Sequence, residues 1–292
     1  MRIAVFGKQF GEVFYESCAT LFKQLALVRA EVFIYKPFYD FIIETVGLKP
    51  EISGIFTDYF DLPESQMLFS VGGDGTFLDA VTMVRNRNIP VVGINSGRLG
   101  FLADISKEDL LVAVADIMDG KYEVRELDLL KLETSTPCFG ELDFALNELA
   151  VQKRDSSSMI TIHTYLNGDF LNSYWADGLI ISTSTGSTAY SLSVGGPIMH
   201  PSSQNFIINP ISPHNLTVRP LVVPNNFELL LKVEARGGKF LASLDSRSCI
   251  IDQEVELRVR KADFSVSVIE RAGQSFYSTL RSKLMWGADK RN

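Results

Sequence analysis

The sequence predicts an α/β domain with a parallel sheet, followed by a β-rich, β-sandwich-like domain. Up to about residue 100, short β-branched or aromatic runs alternate with longer helix-period segments. From about residue 121, extended segments follow one another with turn signals between them and few helical stretches. The length of 292 residues suggests about two domains at ~100–200 residues each.

The first strand is expected at residues 2–6, RIAVF. Residues 13–30 carry Phe14, Cys18, Leu21, Leu25 and Val28, close to the i, i+3, i+4, i+7 spacing of an amphipathic helix. Strands follow at 31–35 and 67–71, the second bounded by a glycine cluster, then a helix at 77–84 and a strand at 91–94. That is a Rossmann-like layer. We assign residues 1–103 to it, with 270–292 packing back on it, and 104–269 to the β-rich domain. A helix at 106–120 joins the halves. The later strands are expected at 122–133, 144–151, 159–165, 172–175, 179–182, 227–234, 240–244, 255–259 and 264–269. Asn167-Gly168 is the two-residue hairpin signal, since a type I′ turn needs positive φ at both positions. The basic stretch 281–292 reads as a solvated tail or as a last helix returning to the first domain.

With 28 Lys and Arg against 35 Asp and Glu, the net charge of −7 leaves no electrostatic footprint for nucleic acid. Cys18, Cys138 and Cys249 are far apart, odd in number and without metal-ligand spacing, so we expect a reduced cytoplasmic protein with no structural zinc. The longest apolar candidate, 110–118, is interrupted by Asp116 and falls short of a membrane span, and the first seven residues are too brief an apolar start for a signal peptide.

The strongest local signal is Gly72-Gly73-Asp74-Gly75-Thr76, between a buried strand and a helix. Ligands of open α/β sheets bind at the carboxyl ends of strands, and glycines let backbone approach an anion. Asp74 is then the one carboxylate among donors, placed to hold a nucleotide's metal or to take a proton from an attacking hydroxyl. The plainer alternative is a tight turn whose Asp caps the helix. Neither an ordinary P-loop nor a G-x-G-x-x-G fingerprint occurs. The glycine-rich stretch 93–100 matches neither and is readable as a domain linker. A second signal is the hydroxyl-rich run from Asp177-Gly178 to Ser191, which suits a flat ligand's edges, with Tyr190 supplying a ring face; the alternative is a hairpin turn and a solvated loop. Asn147-Glu148 places polar residues inside an apolar run, and strand alternation sends them to opposite faces.

Together, GGDGT at 72–76, NE at 147–148, the segment 177–198 with its TSTGSTAY, PISPHNL at 210–216 and the closing KLMWG at 283–287 resemble the motifs of NAD kinases, in order and over essentially the whole chain. GGDGT alone is shared with diacylglycerol- and sphingosine-type lipid kinases, which makes a lipid kinase the same-class alternative; a non-catalytic NAD(P) sensor is the other. The resemblance implies Mg²⁺- and ATP-dependent phosphorylation of the 2′-hydroxyl of NAD's adenosine ribose, giving NADP. It implies Asp74 as the base, and Gly72, Gly73, Gly75 and Thr76 facing the phosphates. Asn147 and Thr185 align with adenine contacts, Thr188, Ala189 and Tyr190 with the surrounding pocket, and Glu148 and Asp177 with contacts on the nicotinamide side. No protein metal ligand is implied, and the family suggests a homo-oligomer, a dimer or a tetramer. Ser184, Asn209-Pro210 and Asp245-Ser246-Arg247 depart from the family pattern, where T-P-T, Thr-Pro and D-G-Q are usual. His214 lies in the matched PHNL segment, and His163 and His200 read as strand and turn residues without partners; none is offered as catalytic.

Overall fold

The computed structural model describes residues 1–97, 100–154, 158–273 and 275–287. The chain forms two units, Met1–Glu126 with Val266–Asn292, and Leu127–Ser265. The first unit reaches past residue 103 because the helix after the linker turns Leu110, Ala113, Val114 and Ile117 into that unit's own core.

In the first unit β1 (Arg2–Gly7), α1 (Tyr15–Leu27), β2 (Glu31–Tyr35), α2 (Lys36–Phe41), β3 (Gly54–Phe56), β4 (Met67–Gly72), α3 (Asp74–Val84), β5 (Val91–Asn95) and α4 (Leu110–Met118) follow in order. The strands pair in parallel in the order β3-β2-β1-β4-β5. All six residues of β4 are buried, as a strand covered on both faces requires. Ile3, Val5, Met67, Phe69 and Val71 join the core with α1 and α4, while α3 packs on the sheet through Phe77, Ala80, Val81 and Val84. Strand order reverses between β1 and β4, and in such sheets that reversal opens the crevice that takes ligands.

The second unit is built from β6 (Tyr122–Thr134) from Leu127 onward, β7 (Phe144–Ala145), β8 (Glu148–Lys153), β9 (Ile160–Leu166), β10 (Asp169–Ala176), β11 (Gly178–Thr183), α5 (Tyr190–Ser193), β12 (Asn205–Ile211), β13 (Leu221–Pro224), β14 (Leu229–Ala235), β15 (Lys239–Leu244), β16 (Arg247–Asp252) and β17 (Leu257–Arg271) as far as Ser265. One antiparallel sheet runs β13-β12-β11-β8-β15-β16, and the other runs β10-β9-β14-β17. Their inner faces bury one core, in which Leu149, Val151, Leu179, Ile181 and Phe240 join Ile160, Ile162, Leu229, Leu231 and Val259. This is the β-rich domain expected. Asn167 and Gly168 have φ of 49° and 89°, so the hairpin between β9 and β10 has the expected turn. The closing helix, α6 (Phe276–Leu284), starts in a capping box at Ser275 and belongs to the first unit. Ala288–Asn292, part of the stretch read as tail or helix, lie outside the described residues, as do Arg98 and Leu99 of the glycine-rich stretch.

The sequence reading misses β3, β12, β13 and β16. Prolines are the reason in two of them: Pro210 sits within central strand β12, opposite Leu179, and Pro224 ends β13. The strands expected at 255–259 and 264–269 are one strand, β17, and the strand expected at 144–151 breaks at Leu146-Asn147. The cysteine expectation is corrected: Cys138 and Cys249 form a disulfide, their Cα atoms 6.2 Å apart across 111 residues of sequence. Spacing along the chain carries no trace of a pair that β16 brings to the loop before β7. Cys18 is free, and burial pushes its thiol up to about 12. Among the described residues no helix is long and apolar enough to cross a membrane.

Candidate active site

In the first unit, β4 ends at Gly72 and α3 begins at Asp74, so the GGDGT loop lies at the carboxyl end of the strand beside the β1/β4 reversal. Among the described residues no side chain caps α3, and its N-cap is Gly73. The leading N–H groups of a helix have no partner within it, and they carry the positive end of its dipole. A Cβ on Gly73 or Gly75 would meet nothing within 4 Å, which leaves these donors open to an anion. Thr76 is buried instead, its amide donating to the Gly73 carbonyl at 2.9 Å.

Asp74 does not cap its own helix. Its carboxylate reaches back to residues 101–103, where Oδ2 accepts the Phe101 N–H at 2.9 Å and Oδ1 accepts those of Leu102 and Ala103 at 3.0 and 2.9 Å. Asn95, at the end of β5, fixes the same segment by donating its side-chain amide to the Ala103 carbonyl at 3.2 Å, while its backbone N–H donates to Ile105 at 2.8 Å. Gly100 must be glycine, because a Cβ there would overlap the Asp74 carboxylate. The far side of Asp74 is met by Lys283 of α6, with Nζ 3.5 Å from Oδ2. These partners escape the sequence reading: the glycine-rich stretch looks like a linker, and Lys283 carries no local chemical signature.

In the second unit, the other signals converge on the outer face of the six-stranded sheet. Alternation in β8 turns Leu149 and Val151 into the core and leaves Glu148 and Gln152 on the opposite face with Ala150. Residues 183–190 fold over that face. Thr183 donates its hydroxyl to the Leu146 carbonyl at 2.6 Å and its N–H to the Asn147 carbonyl at 2.8 Å. Gly186 follows with no space for a side chain, since a Cβ would overlap the Asn147 carbonyl. The Thr188 hydroxyl donates to the Thr185 carbonyl at 3.3 Å, and the Ala189 N–H to that of Gly186 at 2.9 Å. The Tyr190 N–H donates to the Glu148 carboxyl, and the Tyr190 hydroxyl accepts from Gln152 at 3.0 Å. Asn147, Glu148 and the 185–190 turn are therefore one cluster. Asp177 is separate: it precedes β11, at the end away from Thr183, and pairs with Lys153 at 2.6 Å.

Asp245, in the tight turn between β15 and β16, is a residue to which the sequence reading assigns no role. Its carboxylate accepts the N–H groups of Leu146, Asn147 and Glu148 at 2.9, 2.8 and 3.2 Å, which is why the expected strand breaks there. Arg247 donates to the carbonyls of Leu142 and Phe144. Of the other departures, Ser184 donates to the carbonyls of Ser203 and Asn205, and Asn209 donates its side-chain amide to the Ser191 carbonyl. The histidines expected to lack partners have them: His163 meets Ser173 and Glu234, and His200 accepts from Ser202.

Glu148 carries a buried Oε2 with no hydrogen-bond partner among the described residues, and burial, followed by the charge of Asp245, pushes its carboxyl up to about 8. Between its ordinary 4.5 and about 8, the folded chain holds a proton that the unfolded chain has released, so this group's contribution to stability falls as pH rises through that window. Glu148→Gln is expected to flatten that fall and, at about pH 8, to stabilise the ligand-free protein by ~1–3 kcal/mol. Urea titrations at about pH 5 and pH 8 check this; a parent and variant with equal pH slopes refute it.

The ATP-NAD kinase C-terminal domain model matches residues 146–271, and the ATP-NAD kinase N-terminal domain model matches residues 61–122. The chain is 47% identical over 292 residues to the NAD kinase of Cytophaga hutchinsonii, covering all of both chains. It is 44% identical over 292 residues to that of Bacteroides fragilis, again over the full length of both. Among solved structures, it superposes on yeast NADH kinase complexed with NADH at a TM-score of 0.83 and 20% identity, over 99% of this chain and 89% of that one. On an NAD kinase from Archaeoglobus fulgidus in complex with ATP, the TM-score is 0.74 at 26% identity, over 98% of this chain and 99% of that one.

Proposed function

This chain belongs to the ATP-NAD kinase family, and on that premise we propose that it transfers the γ-phosphoryl group of ATP to the 2′-hydroxyl of the adenosine ribose of NAD, giving NADP and ADP. The observation that carries the mechanism is the fixed Asp74 carboxylate at the uncapped start of α3. A neutral alcohol is a poor nucleophile. Asp74 accepts the hydroxyl proton as the ribose oxygen bonds to the γ-phosphorus and the bond to the ADP oxygen breaks. Such a transition state rewards positioning and charge stabilisation above covalent help, and three backbone amides aim this carboxylate before substrate arrives. Gly73 and Gly75 face the phosphates, where the first-turn amides of α3 supply donors, and Gly72 with the buried Thr76 shapes the loop behind them.

In the second unit, Asn147 and Thr185 contact adenine, and Thr188, Ala189 and Tyr190 line its pocket. Glu148 binds on the nicotinamide side; Asp177, paired with Lys153 at the other end of β11, is left out of that contact. The unpartnered Oε2 of Glu148 supports its part, since a buried polar atom left without a protein partner suits a ligand's hydroxyl or amide.

Magnesium enters with ATP in this proposal. Mg²⁺ keeps several waters and takes one or two carboxylates beside the nucleotide's phosphates, and a loop whose one carboxylate is Asp74 fits an ion borne by the nucleotide. When bound, it would neutralise phosphate charge. We further propose a cytoplasmic homo-oligomer, dimer or tetramer. Strands β13 and β16, which end the six-stranded sheet, offer edges for assembly.

The test is to incubate the purified chain with NAD and Mg-ATP and assay product with an NADP-specific dehydrogenase, with diacylglycerol and sphingosine as parallel acceptors. Magnesium-dependent NADP formation is expected. Lipid phosphorylation without NADP, or NAD binding without any transfer, overturns the assignment in favour of a lipid kinase or a sensor respectively.

A further inference from the structure

Asp74 has four acceptor positions, two on each carboxylate oxygen, and among the described residues all four are in use. Three go to the amides of Phe101, Leu102 and Ala103 at 2.9 to 3.0 Å. Those amides belong to a segment that is itself tied down, by the Gly100 N–H on the Ala103 carbonyl at 3.0 Å and by the side chain of Asn95. The fourth position, on Oδ2, is held by Lys283 at 3.5 Å. This contact is the longest of the four, and it comes from a flexible side chain that is 30% exposed. Lys283 is held near by other means: its Nζ lies 4.6 Å from the centre of the Phe101 ring, and that ring touches Phe276, on the first turn of α6, at 6.4 Å.

An alcohol that gives its proton to Asp74 must first donate a hydrogen bond to it, and no acceptor position stands open. The amide bonds are short and locked into the backbone, so the exchangeable partner is the lysine. We propose that Lys283 is a placeholder on Asp74, occupying the acceptor position of the incoming ribose hydroxyl, so that binding of the NAD substrate displaces an ion pair within the first unit. This rests on the assignment of Asp74 as the base. Lys283 is a positioning residue in this scheme: it sets the cost of delivering the hydroxyl and takes no part in bond making.

The scheme gives opposite signs to two substitutions, which a merely structural role does not. Lys283→Met keeps the length and apolar contacts of the side chain and removes the charge that must be displaced, so NAD is expected to bind about threefold more tightly, the scale of a part-exposed ion pair. Lys283→Arg offers a planar fork that grips a carboxylate more firmly, so NAD is expected to bind about threefold more weakly. In an Asp74→Asn background, Lys283→Met is expected to change NAD affinity by less than about 1.5-fold, because the pair is already gone. The measurement is isothermal titration of NAD into each full-length variant without ATP, with turnover of the Asp74→Asn chain assayed alongside. Unchanged or weaker binding by Lys283→Met, shifts of the same sign in both variants, or an undiminished effect in the Asp74→Asn background overturns the placeholder alone. Full turnover by Asp74→Asn removes Asp74 as the base, and the placeholder falls with it.

Discussion

Asp74→Asn is expected to lower turnover by ~10²–10⁴ while NAD binding stays within a few-fold, the range for losing a positioned base. The substitution preserves shape and removes both the charge and half of the acceptor capacity. An asparagine oxygen can still take two of the three amides from residues 101–103, but its NH₂ group is then turned toward a third N–H donor and the Lys283 ammonium. That mismatch sits in a loop and not in the core, so the cost in stability is about 1 kcal/mol, the price of one badly paired polar group. Stopped assays of NADP at saturating NAD and Mg-ATP, with calorimetric NAD titration on the same preparation, separate chemistry from binding. Turnover within about threefold of the parent would remove Asp74 from the mechanism.

How far the sequence anticipates this site depends on the range of each contact. GGDGT is legible because its chemistry is local: a buried strand, glycines and a helix start occupy consecutive residues, and β4, Gly73 and α3 fall there. The Asn-Gly hairpin is legible for the same reason, as two residues determine its backbone. Asn147-Glu148 is half legible. Polar residues in an apolar run announce a polar environment, yet what anchors their backbone, the Asp245 carboxylate, lies 97 or more residues away and is brought close only by the pairing of β8 with β15. Residues 101–103 are silent, and Lys283 is marked only as the first residue of KLMWG with no role attached, for the same cause: nothing in a basic helix turn or a short loop says which carboxylate it will meet 27 to 209 residues earlier. The Cys138–Cys249 pair is read wrongly because spacing was the only guide to it, whereas the pairing depends on where the edge strand β16 lies.

Asp245→Ala is expected to cost ~3–5 kcal/mol of stability and to weaken NAD binding at least ~10-fold, because it strips a buried anchor from the Asn147-Glu148 segment. The carboxylate satisfies three consecutive backbone N–H groups, which no strand partner could do where β7 has ended and β8 is only beginning. Its removal leaves those donors without that acceptor and takes away a carboxylate 3.9 Å from the Arg247 guanidinium. Backbone adds to the loss: Asp245 has φ of 52°, a left-handed conformation that Asp and Asn tolerate better than Ala. Asp245→Asn is therefore the control. It keeps the turn and one acceptor oxygen, and is expected to recover about half of the lost stability while NAD binding recovers less, since Asn147 and Glu148 need the whole set of amide bonds to hold their orientation. Guanidinium unfolding and NAD titration on both variants read the two effects separately. An Asp245→Ala chain within about 1 kcal/mol of the parent, with NAD affinity intact, would show that the turn between β15 and β16 merely sits beside the segment it is argued to hold.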